Sequence, residues 1–123
     1  HLFSGTLQAK PGEVTVDCQS NDLVCPTTVA DCRRLPFADG RFMWTLADPP
    51  YSAPDAAKYN TPMISRRHVM HEARRVTARG GMLCWLDTVR PMYRADDWKQ
   101  VGAIGISVST NTRCRLLSIF EAV

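Results

Sequence analysis

The sequence predicts an α/β fold, in which a mostly parallel sheet is flanked by helices and ends in an antiparallel β-hairpin. Two apolar runs, residues 42–46 and 82–86, are typical of strands that are buried on both faces of a parallel sheet. We therefore expect their tryptophans, Trp44 and Trp85, in the core. Between the runs, apolar residues at 69, 70, 73 and 76 share one helical face, and basic residues occupy the other.

The remaining predicted elements are shorter. Residues 2–3 look like the end of a first strand, and β-branched residues predict two more strands at 14–16 and 27–30. Residues 52–61 are expected to form a polar loop, and Gly80 and Gly81 are expected to end the long helix. Alternating Ile104, Ile106 and Val108, a turn at 110–112 and a returning run at 115–120 predict the final hairpin.

An acidic residue follows each of four predicted strands: Asp17, Asp31, Asp48 and Asp87. The carboxyl ends of parallel strands meet along one edge of a sheet, and open α/β sheets bind their ligands there. A single aspartate in this position is often only a helix cap. Four aspartates that each follow a strand favour a ligand-binding edge over a set of separate helix caps.

Composition limits the class of protein. The 123 residues favour one domain, residues 1–123, and the 45% of hydrophobic residues can supply a core. The net charge of +3 permits a nucleic-acid or phosphate partner but does not argue for one. No Cys-x-x-Cys pair is present among the five cysteines, so we expect reduced thiols and no metal site. Without a long apolar run or a signal-peptide pattern, the expected location is cytoplasmic, with no membrane partner.

The run at 42–46 is followed by Asp48-Pro49-Pro50-Tyr51, a segment that we call the elbow. Neither proline has an N–H to donate, so the strand cannot continue through them. The elbow therefore holds one carboxylate and one aromatic ring at the carboxyl end of a central strand. Such a pair suits a planar group with a polar edge.

With these residues the chain resembles the class I S-adenosylmethionine-dependent methyltransferases, and a Rossmann-like fold follows from the resemblance. Residues 35–42 are similar to a run common before the fourth strand of that family, and residues 74–81 to the helix end and double glycine before its fifth strand. The elbow resembles the DPPY motif of the members that methylate exocyclic amino groups of adenine, cytosine or guanine in DNA or RNA.

The resemblance implies a role for each matching residue. Six residues are expected to bind S-adenosyl-L-methionine: Phe3, Ser4 and Gly5 at its methionine end, Asp17 at the ribose hydroxyls, and Asp31 with Cys32 at the end of the third strand, where the acid meets the adenine amino group. Asp48 is expected to border the cofactor as well as the acceptor. In catalysis, the Asp48 carboxylate and the Pro49 carbonyl would accept hydrogen bonds from the target amine, and Tyr51 would stack on the extruded base.

The chain departs from the family pattern near its first residue. Residues 6–13 are too few for a crossover with a helix, which needs at least ~10–12 residues. We therefore expect a reduced or absent first helix and an incomplete first strand at His1. In addition, Met43 stands where many relatives carry an acid.

Three functions remain open at this point. The first is a methyltransferase acting on a nucleic-acid base, with DNA or RNA as partner, and the second is a small-molecule methyltransferase. The third is a degenerate, non-catalytic domain that binds a nucleotide or a protein. The incomplete first strand and the shortened segment around Phe3, Ser4 and Gly5 favour this third function. The oligomeric state does not follow from the sequence.

Overall fold

The computed structural model describes residues 1–20, 24–107 and 113–123. Its elements, in chain order, are β1 (Val16–Asp17), β2 (Thr28–Val29), β3 (Phe42–Ala47), α1 (Ala53–Lys58), α2 (Arg66–Val76), β4 (Thr77–Asp87), β5 (Trp98–Ser107) and β6 (Cys114–Ala122). The predicted loop at 52–61 is therefore in part a helix, α1. Ser52 caps α1 by accepting a hydrogen bond from the Asp55 amide, and a proline occupies its first turn.

The strands form a mixed arrangement. β1 pairs with β2 in parallel, and a larger sheet has the order β3-β4-β6-β5. In that larger sheet β3 and β4 are parallel, but β6 runs antiparallel to both β4 and β5. The fold is thus mixed α/β, and the prediction of a mostly parallel sheet was wrong for the larger sheet. The physical reason is the long final hairpin, whose second strand lies between β4 and β5.

Leu2 links the two sheets. It forms isolated parallel bridges to Val16 in β1 and to Ala47 in β3. Its amide also donates to the Leu46 carbonyl at 2.7 Å, and the Ser4 amide donates to the Val16 carbonyl at 3.0 Å. The predicted end of a first strand therefore lies between β1 and β3, although it is too short to form a named strand.

Helix α2 covers one face of the larger sheet. Its predicted apolar residues are buried and belong to one core cluster with Leu83, Trp85 and Phe120. The helix ends at Val76, because Thr77 is already extended and opens β4. Gly80 and Gly81 therefore lie within β4, and the prediction that they end the helix was wrong. Gly81 has a different reason to be glycine, since a Cβ there would lie 2.8 Å from the Ala78 carbonyl oxygen.

The opposite face of β3 is open. Trp85 is fully buried, as predicted, but Trp44 is 62% exposed and Leu46 is 38% exposed. The prediction that the 42–46 run is buried on both faces, with Trp44 in the core, was wrong. The cause is the short stretch after Leu2: residues 5–13 form turns and coil, so they provide no helix to cover this face.

The final hairpin is present and is longer than predicted, because β5 begins at Trp98. Val108 and the predicted turn at 110–112 lie outside the described residues. Within the described part of the chain, neither helix has the length and apolar character needed to cross a membrane.

Candidate functional site

The predicted site residues follow neighbouring strands at one edge of the structure. Through its two bridges, Leu2 lies between Val16 and Ala47, which directly precede Asp17 and Asp48. Phe3, Ser4 and Gly5 follow Leu2 at the same edge. Asp31 comes two residues after β2, and Asp87 is the last residue of β4. The fold therefore brings residues 3–5, the four strand-end acids and the rest of the elbow to one edge.

We call Phe3, Ser4, Gly5 and Asp17 the cradle. The Gly5 amide donates to Asp17 Oδ2 at 2.9 Å, which fixes the carboxylate beside the turn. Phe3 has a φ of 60°, a left-handed conformation that is strained for a bulky residue and costs of order 1–3 kcal/mol. Ser4 Oγ is buried and has no hydrogen-bond partner among the described residues. A buried hydroxyl without a partner beside a fixed carboxylate fits a ligand that carries hydroxyl or amino groups.

Asp31 and Cys32 differ from the cradle. The Asp31 carboxylate accepts from the Arg33 amide at 2.8 Å and from Arg33 Nη2 at 2.6 Å. These hydrogen bonds from Arg33 lower the pKa of Asp31 and engage its carboxylate locally. Cys32 is buried, and burial raises the pKa of its thiol to about 12. The Cys32 side chain therefore acts as a neutral, apolar packing group rather than as a nucleophile.

The elbow has a defined geometry. The Tyr51 hydroxyl donates to Asp48 Oδ1 at 2.6 Å, and Asp48 itself is exposed. Within the described residues, Asp48 Oδ2 accepts no hydrogen bond from the protein. Burial, followed by the hydrogen bond to Asp48, raises the pKa of Tyr51, so the hydroxyl stays a neutral donor. Pro49 is fully buried, which anchors the elbow beneath this exposed pair.

Two residues to which the family resemblance gives no role, Arg66 and Asp87, support the elbow through the Tyr51 carbonyl. Arg66, at the start of α2, donates from Nε to Asp87 Oδ2 at 2.6 Å and from Nη2 to Asp87 Oδ1 at 3.1 Å. Arg66 Nη2 also donates to the Tyr51 carbonyl at 2.9 Å. Asp87 is completely buried, and Trp85 Nε1 and the Thr88 amide donate to it as well. Asp87 was visible in the sequence as a strand-end acid, but only the fold reveals its partner.

A third such residue is Arg115 in β6. Its guanidinium carbon lies 5.2 Å from the centroid of the Tyr51 ring, a cation–π distance. Its Nε is buried and has no hydrogen-bond partner among the described residues. No sequence signal connected Arg115 with the elbow, because the contact depends on how the final hairpin packs.

Other basic residues of α2 are structural or solvated. Arg75 donates to the carbonyls of Leu35 and Phe37 and to the carboxylate of Glu72, so it secures the connector before β3. His68 and His71 are exposed. Among the described residues, no group of three or more His, Cys, Asp or Glu side chains could hold a metal ion.

A groove of about 440 Å³ lies elsewhere on the described surface. Its lining includes Val14, Leu35, Phe42, Trp44 and Leu46, and none of the predicted site residues. It therefore coincides with the open face of β3, whereas the elbow lies at an exposed edge.

Comparison with known proteins shows similarity of fold but not of sequence. No family model matches the chain, and no curated protein matches it significantly. Among solved structures, the MccD protein matches with a TM-score of 0.52 at 12% identity, covering 76% of this chain and 66% of that one. The PH0226 protein from Pyrococcus horikoshii OT3 matches with a TM-score of 0.47 at 13% identity, covering 78% and 58%. This chain spans less than two thirds of either solved chain. The match to MccD shows that the two proteins share a fold over the matched part, and it carries no information on activity, cofactor or substrate.

Proposed function

We propose that this protein is an S-adenosylmethionine-dependent methyltransferase that acts on an exocyclic amino group of a nucleic-acid base. One observation carries the proposal: the bridges of Leu2 hold the cradle next to the elbow at the carboxyl end of β3. With Leu2 as a bridging position, the order of the strands becomes β2-β1-Leu2-β3-β4-β6-β5. We propose that this is a shortened, Rossmann-like sheet whose hairpin supplies the antiparallel part.

The polar groups of the cradle support the proposal that it binds S-adenosylmethionine. Asp17 offers a carboxylate for hydroxyl groups, and Ser4 Oγ offers a buried hydroxyl that has no partner among the described residues. Gly5 leaves open space, since a Cβ there would meet no atom within 4 Å. Cys32 adds a neutral wall for an apolar ring face. When bound, S-adenosylmethionine supplies an electrophilic methyl group on a sulfonium sulfur.

The elbow would orient the acceptor. An amino group conjugated to an aromatic ring is a poor nucleophile, because its lone pair is delocalised. Asp48 Oδ2 and the Pro49 carbonyl would accept its two N–H groups, which favours a pyramidal nitrogen with its lone pair directed at the methyl group. Asp48 could also take up the released proton. Stacking of the base on Tyr51 would contribute ~1–3 kcal/mol.

Substitution of the elbow acid tests the proposal. Asp48→Ala should lower transfer of a tritiated methyl group to DNA or RNA by at least ~100-fold, because alignment and charge stabilisation are lost together. Binding of S-adenosylmethionine, measured by titration calorimetry, should persist. Asp96→Ala, an exposed acid in the loop before β5, is the matched control and should transfer normally. Unchanged turnover in the Asp48 variant would defeat the proposed role, and methylation of a metabolite pool alone would indicate a small-molecule enzyme.

Two observations favour a second candidate, a non-catalytic methyltransferase-like domain. The Asp31 carboxylate is already engaged by Arg33, and residues 3–15, between Leu2 and β1, form no helix. Calorimetry separates the two candidates. If the protein binds neither S-adenosylmethionine nor its demethylated product, only the non-catalytic function remains.

A further inference from the structure

Arg115 differs from the other two arginines near the elbow. Arg66 is paired with the buried Asp87, and Arg113 lies 3.5 Å from the Asp55 carboxylate. Arg115 forms no ion pair with the described residues, and its described contact is with the face of the Tyr51 ring. Its side chain is half-buried, and its buried Nε donates to no described acceptor.

This arrangement is energetically incomplete. A partly buried cation and a buried N–H are both costly when no acceptor compensates them. A ring face offsets part of that cost but accepts no hydrogen bond along the edge of the guanidinium. The planar guanidinium carries several N–H groups in a fork, which matches two oxygens of a phosphate. The guanidinium of Arg115 is therefore suited to bind an anionic group that a ligand supplies.

We propose that Arg115 binds a phosphate group of the acceptor, beside the amino-group site at Asp48. The inference rests on the proposed function and narrows its substrate: the acceptor is a nucleotide or a nucleic-acid strand, rather than a nucleoside or a neutral metabolite. Asp48 repels a phosphate and the charge of Arg66 is offset by Asp87, so Arg115 must supply the local attraction.

The same contact would prepare the aromatic ring. In the structure, the guanidinium of Arg115 covers one face of Tyr51 while the Tyr51 hydroxyl is held by Asp48. A phosphate that draws Arg115 away exposes that face of the ring for stacking. Binding of the phosphate and binding of the base are therefore expected to be coupled.

Titration calorimetry with the intact chain tests the proposal at fixed ionic strength. The probes are adenosine, cytidine and guanosine, their 5′-monophosphates, and a short single-stranded oligonucleotide. For the preferred base, the monophosphate or the strand should bind about tenfold more tightly than the nucleoside. Arg115→Gln should reduce this preference to less than about twofold, whereas Arg113→Gln, which removes the same charge two residues away, should keep it. Equal binding of strand and mononucleotide points to a free nucleotide, and binding of the strand alone points to a polynucleotide.

Three outcomes would overturn the inference: an unchanged preference in Arg115→Gln, binding of the nucleoside to the wild type as tightly as both the nucleotide and the strand, or no binding of any probe. If Arg115→Gln does not fold, the wild type still decides, because inorganic phosphate should compete with the nucleotide and not with the nucleoside. The proposed function fails separately, by absence of methyl transfer from the wild type. If transfer occurs and Arg115→Gln leaves the KM for the nucleotide unchanged, only the Arg115 inference fails.

Discussion

The elbow and the cradle lie side by side at one edge, yet they are supported in different ways. The elbow is tied down by the Arg66–Asp87 ion pair and by the buried Pro49. In the cradle, the Asp17 carboxylate accepts hydrogen bonds from the backbone amides of Gly5 and Gln19. Phe3 is strained, and the buried Ser4 hydroxyl has no hydrogen-bond partner in the described part of the chain. The elbow, our proposed acceptor site, is therefore preorganised by the protein, whereas the cradle, our proposed cofactor site, keeps polar groups that a ligand would satisfy. Rigid placement matters most where geometry controls the reaction.

The largest predicted effect concerns the support of the elbow. Asp87→Ala removes the partner of Arg66 and the acceptor for Trp85 Nε1 deep in the protein. Breaking one side of a buried pair costs roughly 3–5 kcal/mol, and we expect that loss in the free energy of unfolding measured with denaturant. Asp31→Asn breaks an exposed pair with Arg33 near the cradle and should cost at most about 1 kcal/mol. Equal losses in the two variants would refute the contrast between the two regions.

A smaller, pH-dependent effect is expected at the connector before β3, away from both the elbow and the cradle. Glu72 is nearly buried, accepts from the Leu35 amide at 2.6 Å and pairs with Arg75. Hydrogen bonds from Arg75 lower the pKa of Glu72 from its ordinary value of 4.5. A depressed carboxylate stabilises the fold above its ordinary pKa, and that contribution is lost as the pH falls below 4.5 through the folded pKa.

Urea unfolding over a pH series measures this effect. Glu72→Gln should lower the free energy of unfolding at neutral pH by about 1.5–3 kcal/mol, since a hydrogen bond to a charged group is lost. Below pH 4.5, the free energy of unfolding of this variant should fall less steeply with pH than that of the wild type. The wild type and Glu72→Gln should converge at low pH. Parallel curves at every pH would contradict the assignment of this pH dependence to Glu72.

The sequence predicts these two regions unequally. The elbow can be predicted from local chemistry, because two prolines after an apolar run must end the strand there and leave the acid at its carboxyl end. The apolar face of α2 also follows from spacing alone. In contrast, the pairing of Arg66 with Asp87 depends on a helix start meeting a strand end, which no local pattern encodes. The position of Arg115 depends on the packing of the final hairpin.

Burial was the other limit of prediction. Residues 42–46 and 82–86 are both largely apolar and each contains one tryptophan, yet Trp44 is exposed and Trp85 is buried. The difference arises because α2 covers only one face of the sheet, and an apolar run does not state what covers it. Gly80 and Gly81 resemble a helix stop, although the close approach of the Gly81 backbone to Ala78 accounts for one of them.

The most direct test of the account is the binding of S-adenosylmethionine to the wild type and to two single variants, measured by titration calorimetry. We predict binding by the wild type, a loss of at least about tenfold in affinity in Asp17→Ala because the carboxylate for the ribose hydroxyls is removed, and near-normal affinity in Asp48→Ala. This division would place the cofactor on the cradle and the acceptor on the elbow. No binding by the wild type, or equal weakening in both variants, would contradict it.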